Sequence, residues 1–249
     1  MNGANVGQPF VYETESHISL HFEIDSVQSQ MLLSSPDVLT LDYTRLMMAF
    51  LLLGDEPGHI GMVGLGGGSL PKYCHRYIPR ASITVAEIST QVVALRKVFK
   101  IPDDSERFRV LLQDGLDYVR ETRRSLDVLL VDAFDLSGQP PHLCTQDFYA
   151  DCREALTPSG LLLVNLCDCR AKQAVENLTR SFGHHPMCLR ASDGANRVMV
   201  IGRSHGRVDW ATVDQRVRRL QELHPLDFGA IAEKVFAASE FSNWRGIRR

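Results

Sequence analysis

The stretch Ile60 to Tyr77, IGMVGLGGGSLPKYCHRY, restricts the fold more than any other part of this chain. Ile60 to Val63 is an apolar run with the length of a buried strand. Gly64-Leu65-Gly66-Gly67-Gly68 follows without a spacer, and a helix is predicted from Ser69, with Pro71 in its first turn. A chain that passes from strand to helix this sharply needs a backbone free of side chains, and glycine also lets a ligand approach the main chain. The pattern is Gly-x-Gly-x-Gly, with Ser69 where a dinucleotide fingerprint would carry its last glycine. The turn therefore favours an adenosyl ligand without a pyrophosphate, with a purely structural turn as the alternative.

Beyond this turn, short strands alternate with helices, the signature of a parallel α/β sheet. Strands are predicted at Ile60–Val63, Ser82–Ala86, Arg109–Gln113, Asp127–Val131 and Leu161–Leu166. The intervening helices are Thr90–Phe99, Leu116–Thr122 and Gln146–Leu156, the last closing at Pro158-Ser159-Gly160, and beyond Arg170 a further helix runs to about Phe182. Two late strands, Met187–Arg190 and Arg197–Ile201, join around Ser192-Asp193-Gly194. Such a hairpin suits a seven-stranded sheet whose last strand is antiparallel, and nicotinamide-binding sheets lack it.

The flanks read differently. Residues 1–40 form a small β appendage, with alternating stretches in Val11–Glu23 and Ser26–Leu33. Leu41–Leu53 is predicted as one apolar helix, with Asp42 near its start and Gly54 past its end, and Tyr43, Arg45 and Met47 are candidates to face a neighbouring pocket. The α/β domain occupies 41–205. Residues 206–249 form a polar helical tail with Arg216, Arg218 and Arg219 on one basic face, read first as solvated.

The first four strands end in the glycine turn, Glu87, Asp114 and Asp132. Ligands of open α/β sheets bind at the carboxyl ends of the strands, so these groups should meet in one crevice. Glu87 lies 23 residues after Gly64, where a carboxylate can accept both ribose hydroxyls, and Asp114 can accept from an adenine amino group. Each acid alone could be a helix cap; three at successive strand ends argue for a site.

Composition narrows the class. With 249 residues, 44% hydrophobic and 23% charged, the chain can bury a sizeable core, and a net charge of −3 argues against a nucleic-acid partner. No basic-then-apolar leader is seen, and the longest apolar run, Leu46–Leu53, is too short to span a bilayer, so a cytoplasmic location is expected. Six cysteines show no Cys-x-x-Cys pair; Cys167-Asp168-Cys169 is the closest approach and reads as reduced thiols, and His184-His185 reads as a loop, so no metal is expected.

The chain resembles the spermidine synthase (polyamine aminopropyltransferase) family over roughly residues 10–205, on Gly64-Leu65-Gly66-Gly67-Gly68-Ser69, Val85-Ala86-Glu87-Ile88, Gln113-Asp114-Gly115 and the run from Asp127 to Asp135, DVLLVDAFD. The resemblance implies an S-adenosylmethionine-dependent methyltransferase-like (Rossmann-type) sheet with an N-terminal β appendage, and a homodimer. It implies a nucleoside site at Gly64, Gly66, Gly68, Glu87, Ile88, Asp114 and Gly115. Asp132 would be the base that takes a proton from an attacking amine, Asp135 would hold the amine chain, and Tyr43 would stand at the entrance. The co-substrate would be decarboxylated S-adenosylmethionine, or S-adenosylmethionine itself, with a small-molecule amine as acceptor.

The chain also departs from the family pattern. The family's Gly-Gly-Gly-Asp-Gly carries an acid, whereas Ser69 stands there in this chain. The family's Tyr-Gln-Glu or Tyr-His-Glu is Tyr43-Thr44-Arg45, and its Asp-Ser-x-Asp-Pro loop is Asp132-Ala133-Phe134-Asp135-Leu136. One lost acid and one arginine would weaken a diamine pocket. Two alternatives follow: a methyltransferase using the intact donor, or a catalytically silent dimeric nucleoside-binding domain.

Overall fold

A computed structural model describes residues 8–23, 26–135, 138–167, 171–192, 194–204 and 208–244. Three strands, β1 (Phe10–Glu13), β2 (His17–Glu23) and β3 (Ser26–Leu32), form an antiparallel N-terminal sheet in that order. Ile18, Leu20 and Met31 of this sheet are buried against the chain's own core. Ile18 and Leu20 therefore need no partner, whereas Phe10 and Tyr12 of the edge strand β1 remain 41% and 59% exposed.

The segment expected as one helix is helical but broken. α1 (Asp42–Leu46) tightens into a 3-10 turn at Met47–Ala49 before α2 (Phe50–Leu53). Asp42 does not cap it; its carboxylate accepts the Ser192 N–H at 2.6 Å and ties α1 to the far end of the chain. Met47 is fully buried in the core and Arg45 points to solvent, so of the three candidates only Tyr43 faces the cleft.

The main sheet contains β4 (His59–Val63), β5 (Ser82–Glu87), β6 (Phe108–Leu112), β7 (Leu126–Val131), β8 (Leu156–Leu166), β9 (Met187–Arg190) and β10 (Arg197–Gly202). Their order is β6-β5-β4-β7-β8-β10-β9, and β10 runs antiparallel to both neighbours. The helices between them are α3 (Ser69–Tyr77), α4 (Thr90–Ala94), α5 (Gly115–Glu121), α6 (Gln146–Ala155) and α7 (Ala171–Phe182). Alternation sorts the side chains onto two layers. Ile60, Met62, Val128, Leu130 and Leu163 join one core, and Val63, Leu129, Val131, Leu162 and Val164 join the other.

Two boundaries differ from the sequence reading. The helix after β5 ends at Ala94 and continues as turns to Lys100, whose φ of 53° lets Ile101 N–H reach the Arg96 carbonyl. This reversal carries Phe99 and Ile101 beneath the glycine turn, and buried Lys72 donates to the Phe99 carbonyl at 2.8 Å. Burial lowers the Lys72 ammonium to a pKa of about 8. At the other boundary, β8 starts at Leu156, already paired with Leu126, and a register shift absorbs the Pro158-Ser159-Gly160 stretch expected to be a helix stop.

The C-terminal residues fold back on the core. α8 (Trp210–Leu223) and α9 (Phe228–Trp244) bury Leu220, Phe228, Ile231 and Val235 in the first layer. Tyr73 and His224 share a hydrogen bond of 2.7 Å inside this contact. Arg216 of the expected basic face donates to the Leu52 carbonyl at 3.0 Å and to Asp55 at 2.7 Å, so part of that face is docked rather than solvated.

Gly64 makes the tightest approach to backbone of the described glycines. With φ at 97°, an added Cβ would stand 2.2 Å from the Asp132 carbonyl oxygen. Gly183 also has a positive φ, 79°, but open space around it. Gly64→Ala is therefore expected to lower the urea unfolding free energy by about 3 kcal/mol, and Gly183→Ala by about 1 kcal/mol. Equal losses at both positions would remove the close approach as the cause.

Candidate active site

The parallel ladder continues into the turns at its carboxyl end. Gly64 N–H donates to the Ala86 carbonyl, Gln113 N–H to that of Glu87 and Asp132 N–H to that of Val63. These bonds hold the turn and the acids in register at the point where the strand order reverses, between β4 and β7. A cleft of ≈ 390 Å³ opens there. It brings together Tyr43, Gly64, Gly66, Glu87, Ile88, Asp114, Gly115, Asp132 and Asp135. Gly68 is not part of the wall; it caps α3 from below, against Ile101.

Glu87 is held on both oxygens. Oε2 accepts the Leu65 N–H and Oε1 the Ser89 N–H, each at 2.8 Å, so the carboxylate braces the glycine turn. Burial pushes its pKa above the ordinary value, and the backbone N–H bonds pull against that shift. Ile88 presents a side chain that is 52% exposed at the cleft, an apolar surface that a flat ring can cover. Asp114 caps α5 through the Leu116 N–H at 2.7 Å, and Gly115 packs so closely on Val63 that a Cβ would stand 2.2 Å from Cγ1.

Asp132 lies at the opposite side of the glycine turn. Oδ2 accepts the Tyr43 hydroxyl at 3.1 Å, and Oδ1 accepts the Asn165 side-chain N–H at 2.9 Å. Desolvation raises its pKa, and the bonds from Asn165 and Tyr43 oppose the rise without cancelling it. Asn165, only 2% exposed, has an Oδ1 with no hydrogen-bond partner. Asp135 stands three residues on, its backbone paired with Gly138 across the loop; Leu136 is outside the described residues.

The departures from the family pattern take a physical form. Arg45 turns away and donates to the carbonyls of Leu39 and Thr40 at 2.9 and 3.0 Å, which corrects the expectation that it would reverse a charge in an amine pocket. The Thr44 hydroxyl is spent on the Leu41 carbonyl at 2.6 Å. Ser69 shares a bond of 3.1 Å with Ser29 of β3, so the N-terminal sheet closes over the glycine turn.

Sequence reasoning missed several wall residues. Phe22, Gln28 and Ser29 come from the N-terminal sheet, and no local pattern announces that this sheet folds over the turn. His142 comes from a 3-10 turn with no distinguishing spacing. Asn165 was detectable: it is the polar residue near the carboxyl end of an apolar fifth strand, the position that drew attention to the acids. Cys167 lines the cleft, while Asp168 and Cys169 lie outside the described residues. Among the described residues, no three His, Cys, Asp or Glu side chains gather in a way that could hold a metal ion, and no helix is long and apolar enough to cross a membrane.

Comparison with known proteins places the fold first. A solved spermidine synthase in complex with the transition-state analogue AdoDATO matches with a TM-score of 0.69 at 19% identity, covering 96% of this chain and 87% of that one. Human methyltransferase-like protein 13 in complex with SAH matches with a TM-score of 0.66 at 24% identity, covering 76% and 96%. The class is thus the Rossmann-type sheet that these two kinds of enzyme share. The sequence is more specific. Residues 42–185 match the spermine/spermidine synthase domain model, and a polyamine aminopropyltransferase of Chromobacterium violaceum is 36% identical over 221 residues, 87% of this chain and 85% of that one. The chain belongs to the spermine/spermidine synthase family.

The raised pKa of Asp132 has a consequence for stability. The folded carboxyl holds its proton more tightly than the unfolded chain does. Its contribution therefore favours folding below the ordinary value of 3.8 and is lost as pH rises through the folded value. Above that range the raised value is a cost to folding. Asp132→Asn keeps both hydrogen bonds satisfiable and is expected to raise the melting midpoint by a few degrees at pH 7, with the gain vanishing by about pH 3. Thermal unfolding of both proteins across that range checks it; a gain that does not depend on pH would count against burial of a charge as the cause.

Proposed function

We propose that this chain transfers an aminopropyl group from decarboxylated S-adenosylmethionine to a polyamine or other small amine, with Asp132 as the base. The observation that carries this reading is the Asp132 carboxylate beside the glycine turn, fixed by Tyr43 and Asn165. A neutral amine attacks the propyl carbon bonded to the sulfonium sulfur. The C–N bond forms, the C–S bond breaks with its electrons returning to sulfur, and methylthioadenosine leaves. The proton lost by the amine passes to Asp132, whose burial raises its affinity for a proton above that of an ordinary carboxylate.

The nucleoside would rest on Gly64, Gly66, Glu87, Ile88, Asp114 and Gly115, with Asp135 and the orphan oxygen of Asn165 receiving amine N–H groups. Orientation of the two reactants supplies the rest of the acceleration. A second reading, methyl transfer from intact S-adenosylmethionine, is favoured by Ser69: a neutral hydroxyl at the turn does not repel the donor's carboxylate. The thiols of Cys74, Cys144 and Cys152 are buried, which supports a cytoplasmic setting.

Asp132→Asn is expected to lower turnover by about 10²–10⁴-fold while methylthioadenosine binding changes little. The assay offers both donors with a panel of amines. Full activity of the variant with any productive pair would overturn the base assignment, and turnover with the intact donor alone would favour the second reading.

The reading extends to a homodimer through the N-terminal sheet, supported by the exposed Phe10 and Tyr12 on edge strand β1. Sedimentation at micromolar concentration is expected to give a mass of two chains. A mass of one chain would count against it.

A further inference from the structure

The Asp114 carboxylate is shared between two elements. Oδ1 is spent on the α5 cap, and Oδ2 lies 3.2 Å from Nε2 of His142. His142 sits on the 3-10 turn Pro141–Cys144, which is anchored on both sides. Leu143 and Cys144 are buried, Asn177 donates to the Cys144 carbonyl at 2.8 Å, and Thr145 donates to the His142 carbonyl at 3.2 Å while capping α6 through the Phe148 N–H. The backbone of His142 is thus fixed, and its side chain is 41% exposed at the cleft wall. The contact is attractive only with a hydrogen on Nε2. A carboxylate oxygen has lone pairs for two donors, so Oδ2 can accept this N–H and one more from a ligand.

We propose that His142 is a positioning residue for the nucleoside. Its Nε2–H holds the Asp114 carboxylate in the orientation that accepts the exocyclic amino group of an adenine. Without it, Oδ2 is free to turn toward solvent and must be ordered again when the purine binds. The same lock opposes a 6-oxo purine, which brings an acceptor to a carboxylate that needs a donor. This inference rests on the nucleoside site read above.

The test is calorimetric titration of methylthioadenosine into the full chain and its variants. His142→Ala is expected to raise the Kd about five- to tenfold, the effect of losing one hydrogen bond to a charged group. His142→Gln, which keeps a side-chain N–H of similar reach, is expected to restore the Kd to within about twofold. Asp114→Asn keeps the α5 cap, since asparagine caps as well as aspartate, but sets an amide N–H₂ against both donors and should weaken binding. In that background His142→Ala is expected to cause no further loss, because its effect passes through Asp114. An unchanged Kd for His142→Ala, an equal loss in both backgrounds, or a loss that glutamine does not restore overturns the proposal. An unchanged Kd for Asp114→Asn overturns it together with the nucleoside reading, which separates that failure from the others.

Discussion

The approach of the Asp132 carbonyl to Gly64 is the contact on which the rest of the site depends. It is closer than any side chain at position 64 would permit, and it lets β7 and β4 run side by side to their carboxyl ends. Because the ladder stays in register to the last residue, the Asp132 side chain and the glycine turn open into the same space. Glu87 then fixes the turn from the other side by accepting the Leu65 N–H. The glycines are thus as much a device for bringing two strands together as for admitting a ligand.

The fold was legible because its strands are short apolar runs punctuated by glycine and acids. Five parallel strands and the antiparallel last one follow from that punctuation, and their bounds agree with the structure to within a few residues, except at β8, which starts at Leu156. The helix after β5 was not legible, because its end is set by tertiary contact. Phe99 and Ile101 are drawn beneath the glycine turn, and the chain reverses at Lys100 to allow it. Within the cleft, the acids could be found because they stand at strand ends. The contributions of Ser29 and His142 could not, since they depend on how two distant segments fold over the sheet. Arg45 gave the opposite lesson: position in a motif suggested a charge in the pocket, whereas helix phase turned it outward.

Two carboxylates in this cleft are held partly against their preference. Glu87 and Asp132 both have raised pKa values from burial, and both are partly compensated by N–H or O–H donors. The compensation differs in kind. Glu87 receives backbone N–H groups, which are fixed in place, whereas Asp132 receives side chains from α1 and β8. A carboxylate supported by main chain is fixed in place; one supported by side chains has partners able to adjust.

The bonds that join early and late segments of the chain also set the order in which it can mature. Asp42 reaches Ser192 across 150 positions, Tyr73 reaches His224 across 151, and Arg216 reaches the Leu52 carbonyl across 164. Contacts of such separation slow folding, because a long loop must close before they contribute. On a ribosome, α1 and α2 emerge long before the segments that cover them exist. Their apolar side chains share a buried layer with Phe228, Ile231 and Val235, which is incomplete until synthesis has passed position 235. Tyr43, which holds the proposed base, belongs to this early segment. Nascent chains shorter than that are therefore expected to hold the glycine turn without a finished active site.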